Sequence, residues 1–173
     1  MKTSLKIFAV VAVLFLTTGN LFAQSKVSAN AAANILPSIQ CSKAITGTAG
    51  DLNFGDIIPG TVAGVVNIAA TLAGARSQPD VNTTLVATNV GHSAGFNITG
   101  SPSTIVHVSF TSGTIILTDG GSNTMGCTLA LSAAAPTLTA GGMTTVYVGG
   151  ALNVAIGQAV GTYTAPFELN AQY

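Results

Sequence analysis

Two cysteines, two histidines and five carboxylates are the titratable side chains with which this 173-residue chain could do acid–base, metal or thiol chemistry near neutral pH. Cys41 and Cys127 show no CxxC spacing, and His92 and His107 show no HxxxH spacing, so the spacing assembles no metal-ligand set. Gly91-His92-Ser93-Ala94-Gly95 has GxSxG spacing, but a strand pattern and not a helix follows it, so it lacks the strand–turn–helix context of a nucleophile elbow. Asp51 and Asp56 flank Leu52-Asn53-Phe54-Gly55 at opposite strand parity and do not form a carboxylate pair for acid–base work. Asp80 and Asp119 sit in turn-like segments, where a carboxylate bonds nearby backbone N–H groups. Glu168 falls on the polar side of the last predicted strand, and no cluster of acids suits calcium. Gly149-Gly150 lies inside a strand pattern and reads as a bulge or a close backbone approach. A phosphate loop would need a following helix. The expectation is a protein that is not an enzyme, with no cofactor and no metal.

The N-terminus supplies the compartment. Lys2 and Lys6 precede an apolar run over residues 7–16, and Leu21-Phe22-Ala23 ends in a small residue. This is a secretory signal layout, with cleavage expected after Ala23. The run is shorter than the roughly 20 residues that span a bilayer. The exported chain would carry Lys26, Lys43 and Arg76 against Asp51, Asp56, Asp80, Asp119 and Glu168. Periplasm, cell surface or extracellular space is the expected location, with no integral membrane span. In an oxidising compartment the default for one cysteine pair is a disulfide, here Cys41–Cys127. It would close a loop of about 87 residues, worth on the order of 4 kcal/mol in the chain-entropy model. Two free buried thiols are the alternative.

The elements that would position any site read as strands. Charged residues are 6% of the chain, against roughly 25% in average domains. Five cations make no nucleic-acid footprint, and 48% hydrophobic residues argue against charge-driven disorder. Short Val-, Ile-, Thr- and Phe-rich runs alternate with Gly, Ser, Asn and Pro clusters, an all-β sandwich or barrel pattern. Strands are expected at 38–45, 51–54, 62–71, 84–87, 95–99, 104–110, 113–118, 125–131, 144–153 and 161–173. In the last of these, Tyr163, Ala165, Phe167, Leu169, Ala171 and Tyr173 share one parity, which a period of two buries. Pro166 cannot donate to a ladder and implies an irregular edge there. The chain divides into a signal peptide (1–23), an N-terminal extension (24–37) and one β-domain (38–173). In the extension, Val27, Ala29, Ala31, Ala33 and Ile35 alternate with Ser28, Asn30, Ala32 and Asn34. This tail suits either a strand inserted into a sheet groove or an Ala/Asn linker.

Leu52-Asn53-Phe54-Gly55 followed by Ile57-Ile58-Pro59-Gly60, then Phe96-Asn97-Ile98-Thr99-Gly100, resemble a bacterial secreted family, domain-of-unknown-function family 4402. The run from Tyr147 to Val154, Gln158, Gly161-Thr162-Tyr163 and residues 167–173 fit the same pattern. The LNFG start and GxYxxxF end are more loosely similar to spore-coat-U-type domains and archaic chaperone–usher pilins. That similarity implies an immunoglobulin-like antiparallel β-sandwich and donor-strand assembly into surface fibres. It also implies other copies or related surface subunits as partners, and a periplasmic chaperone. The cysteines depart from it, since such pilins often link two early strands. The expected function is a secreted structural subunit of a fimbria-like or cell-surface assembly, with the tail pairing in cis or in trans. The alternative is a monomeric secreted β-sandwich that binds a ligand such as a glycan.

Overall fold

The computed structural model describes residues 25–44 and 50–173. The signal-peptide expectation for residues 1–23 lies outside the described residues. The chain divides into two units, Met1–Asn34 and Ile35–Tyr173. In the first, residues 25–34 form neither strand nor helix.

The second unit contains eleven strands among its described residues and no helix. They are β1 (Gln40–Lys43), β2 (Ile57–Pro59), β3 (Gly64–Ile68), β4 (Arg76–Ser77), β5 (Thr83–Leu85), β6 (Ala94–Thr99), β7 (His107–Phe110), β8 (Thr114–Thr118), β9 (Thr124–Leu131), β10 (Met143–Val154) and β11 (Leu169–Gln172). All pairings are antiparallel, and the sheets curl into a half-barrel. The all-β expectation holds. No helix among the described residues is long and apolar enough to cross a membrane.

β10 organises the unit. Val146, Val148, Leu152 and Val154 are buried, while Thr145, Tyr147, Ala151 and Asn153 between them are more exposed. This period of two turns one face inward along the whole strand. Val146 joins the cluster of Ile98, Val106, Val108 and Leu138. Val148, Leu152 and Val154 join a second cluster with Phe54, Val66, Ile68, Cys127 and Leu129. At Val148 the partners are β6 and β9, and at Gly150 they are β3 and β9. One edge of β10 therefore carries β9, and the other carries β6 and then β3, end to end. The change of partner falls at Gly149. A Cβ there would lie 2.2 Å from the Ile68 carbonyl oxygen, so the close backbone approach expected of Gly149-Gly150 is present.

A smaller layer pairs β7 with β11. The other edge of β7 is covered by residues 134–139, through Val106 N–H to Pro136 O and Val108 N–H to Ala134 O. Phe167 stands edge-on to Phe96 at 6.0 Å and to Phe110 at 6.4 Å, so it fills the joint between the layers. The last strand is shorter than expected. Thr164 forms an isolated bridge with Thr118, and regular pairing resumes at Leu169. Pro166 lies in the gap, where its missing N–H breaks the ladder. The burial alternation over residues 163–172 nevertheless follows the parity read from the sequence.

The expected Cys41–Cys127 disulfide is not formed: both thiols are free. Cys41 is in register with Ile98, and Ile98 with Thr144 of β10. Cys127 is in register with Leu152 of the same strand. Thr144 and Leu152 are about 26 Å apart along a strand rising roughly 3.3 Å per residue. A disulfide needs Cα atoms about 4.4–6.8 Å apart. The correction has a simple cause, because sequence pairing by elimination carries no information on register.

Candidate functional site

The segment Leu52-Asn53-Phe54-Gly55 folds as a tight wall rather than a strand. Phe54 is buried in the larger apolar cluster. The Asn53 side-chain oxygen accepts the Gly55 N–H at 2.7 Å, and the Asn53 and His92 backbones exchange two hydrogen bonds. Gly55 has φ +72°, and a Cβ on it would lie 2.2 Å from the Asn89 oxygen and 2.5 Å from the Arg76 guanidinium. Only a residue tolerant of positive φ and lacking Cβ fits.

Arg76 holds this wall from behind. Its guanidinium donates to the carbonyls of Phe54 (3.1 Å), Asp56 (3.1 Å) and Val86 (2.5 Å). The cation thus bonds backbone dipoles and crosslinks the segment before β2 to the segment after β5. Sequence reasoning missed this role. A lone Arg in an almost uncharged chain was the available signal.

In front of the wall lies an open cleft of about 500 Å³. Leu117, Met125, Leu152 and Val154 floor it from β8, β9 and β10, while Asn53–Asp56, Ile57 and Pro59 form one side. Residues 158–163 form the other side. There Gln158 donates to the Tyr163 hydroxyl at 2.9 Å and to the Thr124 carbonyl at 3.3 Å, and Tyr163 donates to the Ala159 carbonyl at 2.8 Å. A second depression of about 440 Å³ shares Met125, Val154 and Gln158 with the cleft. The segments that carried the resemblance, 52–60, 158 and 161–163, therefore meet across one opening although about 100 residues separate them in the chain.

The cleft is apolar at its base and uncharged except for Asp56. The Asp56 carboxylate accepts the Asn89 side-chain amide at 3.0 Å. β2 is hydrogen-bonded as a strand to β5 alone, so one of its edges has no strand partner, and its Ile57 and Pro59 line the cleft. β1 and β11 each likewise pair on one edge, with β6 and β7 respectively.

The other expected site residues are not gathered there. Cys41 is exposed on β1 and Cys127 is buried. Burial pushes the Cys127 thiol up to about 11 and raises that of Cys41. His107 is exposed on β7, and the His92 ring contacts its neighbour's carbonyl, Ser93 O, at 3.3 Å. Asp119 accepts the Gly121 N–H at 2.8 Å, as a turn-capping carboxylate does, whereas Asp80 accepts the N–H of Val65 on β3 at 3.1 Å and so ties distant segments together. Lys43 forms an ion pair with Asp51. Among the described residues no three His, Cys, Asp or Glu side chains converge as a metal set would. Of the alternating tail, Val27 is 95% and Ile35 93% exposed, and residues 29, 31 and 33 are exposed as well.

The family model for Domain of unknown function (DUF4402) matches residues 44–173. No curated protein and no solved structure matches the chain.

Proposed function

We propose that this protein, which belongs to the DUF4402 family, is an exported structural subunit of a fimbria-like surface assembly. The residues after Ala23 would be secreted, and subunits would join when the N-terminal arm of one adds as a strand to a neighbour.

One observation carries the reading: an arm with apolar residues at alternate positions stands exposed, in a domain that also has unpaired strand edges. An exposed Val27 or Ile35 alone would be unremarkable for a surface. Five apolar positions on one parity, 27, 29, 31, 33 and 35, are exposed and would share one face if the arm became a strand. Strand addition draws affinity from main-chain hydrogen bonds and specificity from alternate side chains. The low charge of the chain leaves little repulsion between copies.

The glycan-binding alternative would use the cleft's amides. The Asn89 and Gln158 amides already donate to Asp56, Thr124 and Tyr163, which leaves few donors for a sugar.

Replacing Ala31 by Asp tests the proposal. A carboxylate buried in a strand interface without a partner costs several kcal/mol. The variant should keep the melting temperature of the parent and lose assembly in sedimentation velocity. A fall in monomer stability would mean that the arm pairs within its own chain. No change in either would mean that the arm is a linker.

A further inference from the structure

We infer that the acceptor for a neighbouring copy's arm is the unpaired edge of β2, the strand whose Ile57 and Pro59 line the 500 Å³ cleft. This rests on the assembly reading above and names its docking site. Among the described strands, β1, β2, β4, β5, β8 and β11 each pair with one strand alone, and of these β2 borders the cleft with a wholly uncharged sequence. β1 reads Gln40-Cys41-Ser42-Lys43, exposed throughout, with Lys43 ion-paired to Asp51. A charged residue on an edge is a common device against pairing. β11 ends at a clamp, because the Tyr173 hydroxyl bonds both Pro37 and Ser101. β2 reads Ile57-Ile58-Pro59, carries no charge, and lies beside the apolar floor of Leu117, Met125 and Leu152. Pro59 withholds its N–H, so the edge offers the carbonyls and the Ile57 and Ile58 backbone beside a place for apolar side chains.

Charge and parity fit the same occupant. Residues 25–36 carry one charge, Lys26, and the cleft lining carries one, Asp56. Val27 and Ala29 share a parity opposite to Lys26, so a strand that turns them to the floor turns the ammonium toward the rim.

The ends of β10 set the direction of assembly. Its first residue, Met143, is in register with Thr99, next to Gly100 and to the Tyr173–Pro37 contact where the arm joins the domain. Its last residue, Val154, lines the cleft. Twelve residues of strand separate the two ends by about 36 Å. Donor root and acceptor cleft thus lie at opposite ends, and a contact between such different surfaces is heterologous, which builds a filament wherever its rotation does not close a ring.

A charge exchange tests the assignment on the full exported chain. Lys26→Glu and Asp56→Lys should each weaken self-association about two- to fivefold, as an exposed ion pair allows, and the double variant should restore it. Thr162→Arg, at an exposed position lining the cleft, should abolish association with an unchanged melting temperature. Association that is indifferent to Thr162→Arg, or a double variant no better than the singles, overturns β2 as the acceptor. In that event Ala31→Asp separates the two ideas. If it still blocks association, the arm assembles elsewhere; if it too is silent, the assembly reading itself has failed.

Discussion

The Tyr173 hydroxyl donates to the Pro37 carbonyl at 2.7 Å and accepts the Ser101 N–H at 2.8 Å. The final residue of the chain thereby ties the base of the N-terminal arm to the loop after β6. β1 and β11 lie alongside each other, and among the described residues no backbone hydrogen bond joins them. A side chain does there what a ladder would do elsewhere.

Tyr173→Phe removes both bonds and keeps the ring. The expected loss is about 1 kcal/mol in denaturant unfolding, since net hydrogen-bond contributions are of that order. Faster exchange of the Ser101 amide should accompany it. Unchanged exchange would show that the contact does not persist in solution.

Free thiols in different surroundings should react differently. Cys41 should take up an alkylating reagent near neutral pH without denaturant. Cys127, buried with its thiol pushed up to about 11, should react after unfolding, because the thiolate is the nucleophile. Mass spectrometry of the labelled chain counts one adduct, then two. A chain that accepts none until reduced would contain the disulfide the structure lacks.

Arg76→Ala should be among the more damaging single changes. It strips the donor from three carbonyls, of which those of Phe54 and Val86 are part-buried. Loss of charged hydrogen bonds of this kind costs about 2–4 kcal/mol. Gly55→Ala should destabilise the same wall through strain and steric conflict. Thermal unfolding of both variants measures this, and a shift of less than a degree in either would contradict the role given to the wall.

Asp119 gives the turn between β8 and β9 a pH dependence. The Asn123 side-chain amide, and then the Gly121 N–H, hold its carboxyl below the usual value of 3.8. A carboxyl whose folded pKa is depressed stabilises the fold above its unfolded pKa, and the effect fades as pH falls through the folded pKa. Asp119→Ala should therefore unfold more easily than the parent at neutral pH, and the two curves should converge below pH 3.8. Parallel curves throughout would contradict this.

Strand existence was legible in the sequence wherever the period of two was strong. The β10 and β9 positions were read to within one residue at each end, and the parity of residues 163–172 matches the burial. β2 and β4 were not anticipated. Ile57-Ile58-Pro59 is too short for a periodic signal and ends in a residue that cannot donate. Arg76-Ser77 pairs through the β3 register rather than through any apolar pattern. Leu52 and Phe54 around Asn53 give residues 51–54 a strand pattern, but the Asn53 side chain and positive φ at Gly55 make them a turn. The cleft was illegible for a related reason. Its walls come from segments about 100 residues apart, and their meeting is fixed by the β8–β9–β10 register and by Arg76.

The most direct measurement compares residues 24–173 with residues 37–173 by sedimentation velocity and negative-stain microscopy. The account predicts concentration-dependent, linear assemblies for the first, and a monomer of equal thermal stability for the second. Equal assembly by both forms, or a monomer in both at every concentration, would contradict it.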